Sequence, residues 1–168
     1  LNALQSLETL VVSKLTLTSN GSANGGSVTI SGTTNDVLAA AGTQAPTEAL
    51  VVDGSALPTG SILFLDNIDF ASIVGDGLTI RGGDGENVVF TGEGRQNIQL
   101  GAGDDELHAG AGDDWVGSQS GNDLIFGDSG NDFVYGGAGN DTLDGGAGMD
   151  TAVYAGNRTD YTLTKVSQ

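Results

Sequence analysis

Apolar side chains recur at nine-residue intervals through the second half of the chain, at Val89, Ile98, Leu107, Val116, Ile125, Val134, Leu143 and Ala152. The residues between them are mostly glycine or polar. This spacing predicts a three-residue strand around each apolar position, with the middle side chain inward and its neighbours outward, followed by a turn. The resulting interior is one side chain wide.

The same stretch, residues 82–153, divides without a gap into eight phrases of nine: GGDGENVVF, TGEGRQNIQ, LGAGDDELH, AGAGDDWVG, SQSGNDLIF, GDSGNDFVY, GGAGNDTLD and GGAGMDTAV. The first five places are small and polar, the sixth is usually Asp and the eighth is apolar. Glycines allow left-handed backbone angles and close approach of neighbouring loops. A short fixed period of this kind marks a stacked repeat architecture.

The phrases resemble the repeats-in-toxin (RTX) nonapeptide, G-G-x-G-x-D-x-U-x with U a large apolar residue, a calcium-binding repeat. The resemblance covers 72 of 168 residues. It implies an all-β fold, a right-handed parallel β-roll with two nonapeptides per turn, in which each repeat stacks on the next but one. Calcium would then lie between stacked loops in two columns. By this mapping one column carries Asn87, Asp105, Asp123 and Asp141 at the sixth place, and the other Gln96, Asp114, Asp132 and Asp150.

Four stacked pairs then hold two carboxylates: Asp105 with Asp123, Asp123 with Asp141, Asp114 with Asp132, and Asp132 with Asp150. These are the four expected calcium sites. Asn87 with Asp105 and Gln96 with Asp114 would bring the number to about six, but an amide oxygen brings no charge, so these two are expected to be weak or empty. The resemblance also implies backbone ligands, among them the carbonyls of Gly103, Gly112, Gly121, Gly130 and Gly139. Calcium takes about six to eight oxygens from carboxylates and carbonyls, and glycine-rich loops leave carbonyls free to turn inward. Without the ion, two carboxylates about 4 Å apart repel by roughly 4 kcal/mol at an effective dielectric of about 20. A single Asp in such a stretch is ordinary turn chemistry; six at nine-residue spacing are not.

Charge sharpens this picture. The net charge is −17, and residues 82–153 hold fourteen Asp or Glu against one basic residue, Arg95. Such density opposes compaction unless cations neutralise it, so the repeats are expected to be disordered without calcium and to fold on binding it. The sign excludes nucleic acid as a partner, and there is no basic stripe to offset it. No run of about twenty apolar residues predicts membrane insertion. Cysteine is absent, leaving metal to supply the cross-links a thin core needs.

The flanks differ in texture. Residues 1–49 form an N-terminal flank, with a helical stub at Leu1, Leu4, Leu7 and Val11, then β-prone runs at Leu15–Thr18 and Ser27–Ile30. Residues 50–81 read as metal-free, β-helix-like coils leading into the roll, with runs at Leu50–Val52, Ile62–Leu65 and Leu78–Ile80. Residues 154–168 are expected to cap the roll, through a short strand with alternating Tyr161 and Leu163.

No catalytic constellation occurs: there is no His-Glu-x-x-His, G-x-S-x-G or Walker A motif. The one histidine, His108, takes an outward ninth place and is expected to face solvent. Any catalytic domain would lie upstream. Outward places also carry Trp115, Leu124, Phe126, Phe133 and Tyr135. These predict a docking face for a neighbouring domain, or self-association; scattered surface aromatics are the bland reading. The resemblance implies a non-catalytic calcium-binding module of a secreted or cell-surface bacterial protein, exported by a type I system. The alternative is a calcium-dependent interaction or assembly module, as in surface-layer proteins and adhesins.

Overall fold

The computed structural model describes residues 11–18, 26–31, 48–66 and 68–155. Val11 opens a strand; the rest of the expected helical stub and the cap at 157–164 lie outside the described residues. The elements are β1 (Val11–Thr18), β2 (Ser27–Ser31), β3 (Glu48–Ala56), β4 (Ile62–Asp66), β5 (Phe70–Val74), β6 (Thr79–Gly82) and β7 (Val88–Thr91), followed by seven three-residue strands. Those are β8 (Asn97–Gln99), β9 (Glu106–His108), β10 (Trp115–Gly117), β11 (Leu124–Phe126), β12 (Phe133–Tyr135), β13 (Thr142–Asp144) and β14 (Thr151–Val153).

Odd-numbered strands form one seven-stranded sheet and even-numbered strands the other, every neighbour parallel. The chain therefore crosses from one sheet to the other at each turn and returns one layer on. In the repeats the register is uniform: Val89 pairs with Leu107, Leu107 with Ile125, and Ile125 with Leu143, each eighteen residues apart. One layer is two nonapeptides. The all-β parallel roll expected from the repeats is the fold found.

Pairing continues through the loops. Isolated parallel bridges join Ala102 to Ser120, Ser120 to Ala138, Ala111 to Ser129, and Ser129 to Ala147. Each loop is thus seated on the loop before it, leaving few backbone groups unpaired. Glycine is needed at the fourth place for two reasons. Gly121 and Gly139 have φ of 137° and 144°, and a methyl on Gly139 would overlap the Gly121 carbonyl.

The interior is not uniform. Upstream turns bury Leu50, Val52, Leu63, Leu65, Ile68, Ala71, Ile73, Leu78 and Ile80 in one cluster. From Leu107 on, the strands contribute one buried apolar side chain each: Leu107, Val116, Ile125 and Val134. Leu143 is only partly buried and Ala152 is exposed.

Candidate metal centre

The six sixth-place aspartates fall into the two expected columns, because loops eighteen residues apart stack on the same edge of the roll. Within a column each carboxylate does a structural task first. Its Oδ1 accepts the backbone N–H of the sixth-place residue one layer earlier: Asn87 donates to Asp105 at 2.9 Å, Asp105 to Asp123 at 2.8 Å, and Asp123 to Asp141 at 3.1 Å. In the other column Gln96 donates to Asp114 at 2.6 Å, Asp114 to Asp132 at 2.8 Å, and Asp132 to Asp150 at 3.0 Å. One oxygen per carboxylate is thereby fixed in place and the other left over.

The leftover oxygens are the unusual feature. Asp114 Oδ2, Asp123 Oδ2 and Asp132 Oδ2 are buried and accept no hydrogen bond, as is Asn87 Oδ1. A buried carboxylate oxygen without a donor or cation is costly. Asp105 differs, because Ser118 Oγ donates to its Oδ2 at 2.9 Å.

Burial pushes the Asp114 carboxyl up to about 7, with Asp132 and Asp113 adding to the rise and the Gln96 N–H opposing it. Asp105, Asp123 and Asp132 are also raised, first by burial and then by neighbouring aspartates, against their backbone hydrogen bonds. A cation would reverse this balance. Among the described residues no group of three His, Cys, Asp or Glu side chains converges on one point. Each interval thus offers two carboxylates, and carbonyls must complete any shell.

The glycines expected to lend those carbonyls sit at the fourth place of their loops. The carbonyls of Gly103, Gly112, Gly121 and Gly130 point at the fourth-place glycine one layer on, and none accepts a backbone N–H among the described residues. Gly139 occupies the same place in the last but one repeat, with φ of 144°.

Gln96 and Asn87 stand at sixth places but behave differently. Gln96 turns both ends of its amide to protein: Oε1 accepts the Leu78 N–H at 3.2 Å, and Nε2 donates to the Gly75 carbonyl. Asn87 Nδ2 donates to the Ile68 carbonyl at 3.1 Å. One layer before Gln96 the equivalent place holds Leu78, with 1% of its surface exposed.

A second ladder, not foreseen from the sequence, runs along the fifth places. Asp104 Oδ1 accepts the Asn122 N–H at 2.7 Å, and Asn122 Oδ1 accepts the Asn140 N–H at 3.1 Å. Asp113 and Asn131 repeat this on the other edge, with Asn131 and Met149 as the donors. These bonds point the opposite way along the stack from those of the sixth place. The Asp or Asn repeated at the fifth place was the signal.

Two parallel loop edges, lined with hard oxygen donors at an eighteen-residue repeat, are the geometry on which the sequence comparison bears. The RTX calcium-binding nonapeptide repeat matches residues 79–95, 90–124 and 118–152. Residues 79–152 are RTX calcium-binding repeats. No curated protein and no solved structure compared with the chain matches it. RTX repeats bind calcium, and the donor set here fits that ion: it is all oxygen, and three buried carboxylate oxygens lack a partner.

The outward side chains of the RTX repeats form stacks. His108 does not stand free in solvent. Its ring lies between Phe90 and Phe126, each centroid 4.4 Å away, and Phe70 extends the row. Its Nε2 is 3.2 Å from Glu106 and its Nδ1 3.7 Å from Asp128. Asp128 has φ of 68°, a left-handed conformation that costs a non-glycine residue energy, and its carboxylate also accepts the Gly110 N–H. Eighteen-residue stacking puts side chains a strand spacing apart, close enough for ring contact. On the other sheet Trp115 and Phe133 stack at 5.2 Å and stay 45% and 43% exposed. Tyr135 covers Gly117 and is half-buried, as are Leu124 and Phe126.

Proposed function

We propose that this chain is a non-catalytic calcium-binding module of a larger secreted bacterial protein, disordered in its carboxylate-bearing turns without calcium and folded outside the cell when calcium binds. Calcium sits between successive loops of a column, where the intervals with two carboxylates are Asp105 with Asp123, Asp123 with Asp141, Asp114 with Asp132, and Asp132 with Asp150. Fourth-place carbonyls such as Gly103, Gly112, Gly121, Gly130 and Gly139 contribute to the shell, and the intervals next to Asn87 and Gln96 stay weak or empty. The observation that carries this reading is the set of buried, partnerless oxygens on Asp114, Asp123 and Asp132. A divalent ion there removes both the desolvation cost and the repulsion along the column. Residues 50–81 are the metal-free coils before the roll.

Two variants test the stacked columns. Asp132 is shared by the intervals on either side of it, whereas Asp150 belongs to one, so Asp132→Asn should release twice as much calcium as Asp150→Asn. Equal release in equilibrium dialysis would count against calcium between stacked loops. Calcium titration followed by circular dichroism tests folding, with β signal appearing as the ion is added.

A second reading is favoured by one observation, the exposed Trp115–Phe133 pair. In it the module also docks a neighbouring domain, or associates with itself, through Trp115, Phe133, Phe126 and Tyr135 at the cell surface. Light scattering in calcium separates the two, because a folding module stays monomeric and an assembly module grows.

A further inference from the structure

We infer that the first residue of each repeat decides whether the interval between its loop and the loop before it takes a cation, and that Ser118 withholds the Asp105–Asp123 interval from calcium. This rests on the reading that calcium lies between stacked sixth-place carboxylates. The first place is Leu100, Ala109 and Ser118 in three successive repeats, then Gly127, Gly136 and Gly145 in the next three.

Ser118, Leu100 and the three glycines stand next to sixth-place side-chain oxygens. Ser118 Oγ reaches back to Asp105 Oδ2 at 2.9 Å and to the Gly101 carbonyl at 3.0 Å, and it also faces Asp123. It is 0% exposed, so the hydroxyl fills the space between the two carboxylates and the Gly101 carbonyl. Leu100 does the same with a hydrocarbon side chain. Its Cδ2 and Asn87 Oδ1 lie 2.9 and 2.8 Å from the same point, where a methyl on Gly82 would be, and it too is 0% exposed. In the other column the Gln96 amide is bonded to Leu78 and Gly75 of the layer before, and buried Ala109 opens the next loop.

Where the first place is glycine no side chain stands between the loops. A methyl on Gly127 would lie 2.6 Å from Asp132 Oδ2 and 2.7 Å from the Gly145 carbonyl. The carboxylate oxygens without partners match this division. Asp114, Asp123 and Asp132 precede the loops that begin at Gly127, Gly136 and Gly145, and each keeps a bare Oδ2. Asp105 precedes the loop that begins at Ser118, and its Oδ2 is satisfied by a neutral donor. Three of the four two-carboxylate intervals are therefore open, and the fourth is closed by a hydroxyl.

Native mass spectrometry of the full chain, saturated with calcium and stripped of loosely held ions, counts the bound ions directly. Wild type should retain three, one for each bare carboxylate oxygen. Ser118→Gly should raise the count by one, and Ser118→Ala, which still fills the space, should not. Asp105→Asn, which can still accept the Asn87 N–H, should leave the wild-type count unchanged. Four ions in wild type with one lost in Asp105→Asn would overturn the inference, as would an unchanged count in Ser118→Gly, and both results would leave calcium between the loops intact. A chain that retains no calcium in any variant overturns the inference together with the reading beneath it.

Discussion

Two stretches of one solenoid are held shut by different means. The turns from about residue 48 to 100 are filled: Leu63, Leu65, Ile68, Ile73, Leu78 and Ile80 are all buried, and Leu78 takes the sixth place that an aspartate takes two layers later. The turns from 101 to 155 keep the same strand pairing but bury at most one apolar strand side chain per repeat, and line the loop with carboxylates. Along one column the sixth place runs Leu78, Gln96, Asp114, Asp132, changing from hydrocarbon to amide to acid over four layers. Parallel stacking places no demand on what fills the loop, only that it be filled. Hydrocarbon does so permanently, the Gln96 amide does so with its own hydrogen bonds, and the carboxylates leave bare oxygens that a cation would cover.

Removing calcium should separate the two stretches most strongly. In chelator, amides of β9 to β14 should exchange with solvent orders of magnitude faster, while those of β4 to β6 keep their protection. Hydrogen exchange with mass spectrometry reads this, and a uniform change along the chain would erase the distinction.

Core truncation should distinguish them next. Ile125 is the one buried apolar side chain of its repeat, so Ile125→Ala in calcium should cost about 3–5 kcal/mol, near the upper end for a large-to-small change. Leu63→Ala, with Leu65 and Ile80 nearby to close the gap, should cost about 2–3 kcal/mol. Denaturant unfolding of both variants in calcium gives the order, and the reverse order would mean the upstream core is the less adaptable.

Acidity should act on the later stretch. Burial raises Asp105, Asp114, Asp123 and Asp132, so without metal the folded chain holds protons more tightly than the unfolded chain does. Stability of the calcium-stripped roll therefore grows as pH falls through about 7, the value for Asp114, toward the ordinary 3.8, and is lost as pH rises again. Protons compete with calcium, so loading weakens over the same window. Circular dichroism of the stripped protein should gain β signal on moving from pH about 8 to about 5; no gain would mean protons cannot stand in for the ion.

The smallest effect concerns the outer face. Trp115→Ala should cost about 0.5–1.5 kcal/mol beyond lost area, the worth of one aromatic pair, and only in calcium, where Phe133 is in place. A matching loss from Phe133→Ala, non-additive in the double variant, would confirm that the pair acts as a unit.

The roll was legible because its period is short, its sixth place is Asp in six of eight copies and its eighth is apolar in all of them. The upstream layers were harder. β5 was not foreseen, although Ala71 lies eighteen residues before Val89 and pairs with it; Phe70–Val74 lacks the glycine-rich phrase that frames later strands. The columns of aspartates could be placed from spacing alone, but which oxygen of each is spent on the backbone could not. Ser118 was hidden for a related reason, since a serine in a glycine-rich turn looks like any other until the layer before it is known. His108 was misjudged because an outward place on a stack is bounded by the layers on either side, here Phe90 and Phe126.

The layer of this fold is eighteen residues while the phrase in its sequence is nine, and that mismatch constrains how such a chain can grow. Inserting one phrase would move every later strand to the opposite sheet, so Phe126 would no longer stack on His108, and each aspartate would change column. Inserting two would add a layer and leave every neighbour as it was. Lengthening by pairs preserves the outer face, whereas lengthening by single copies rewrites it without disturbing the core.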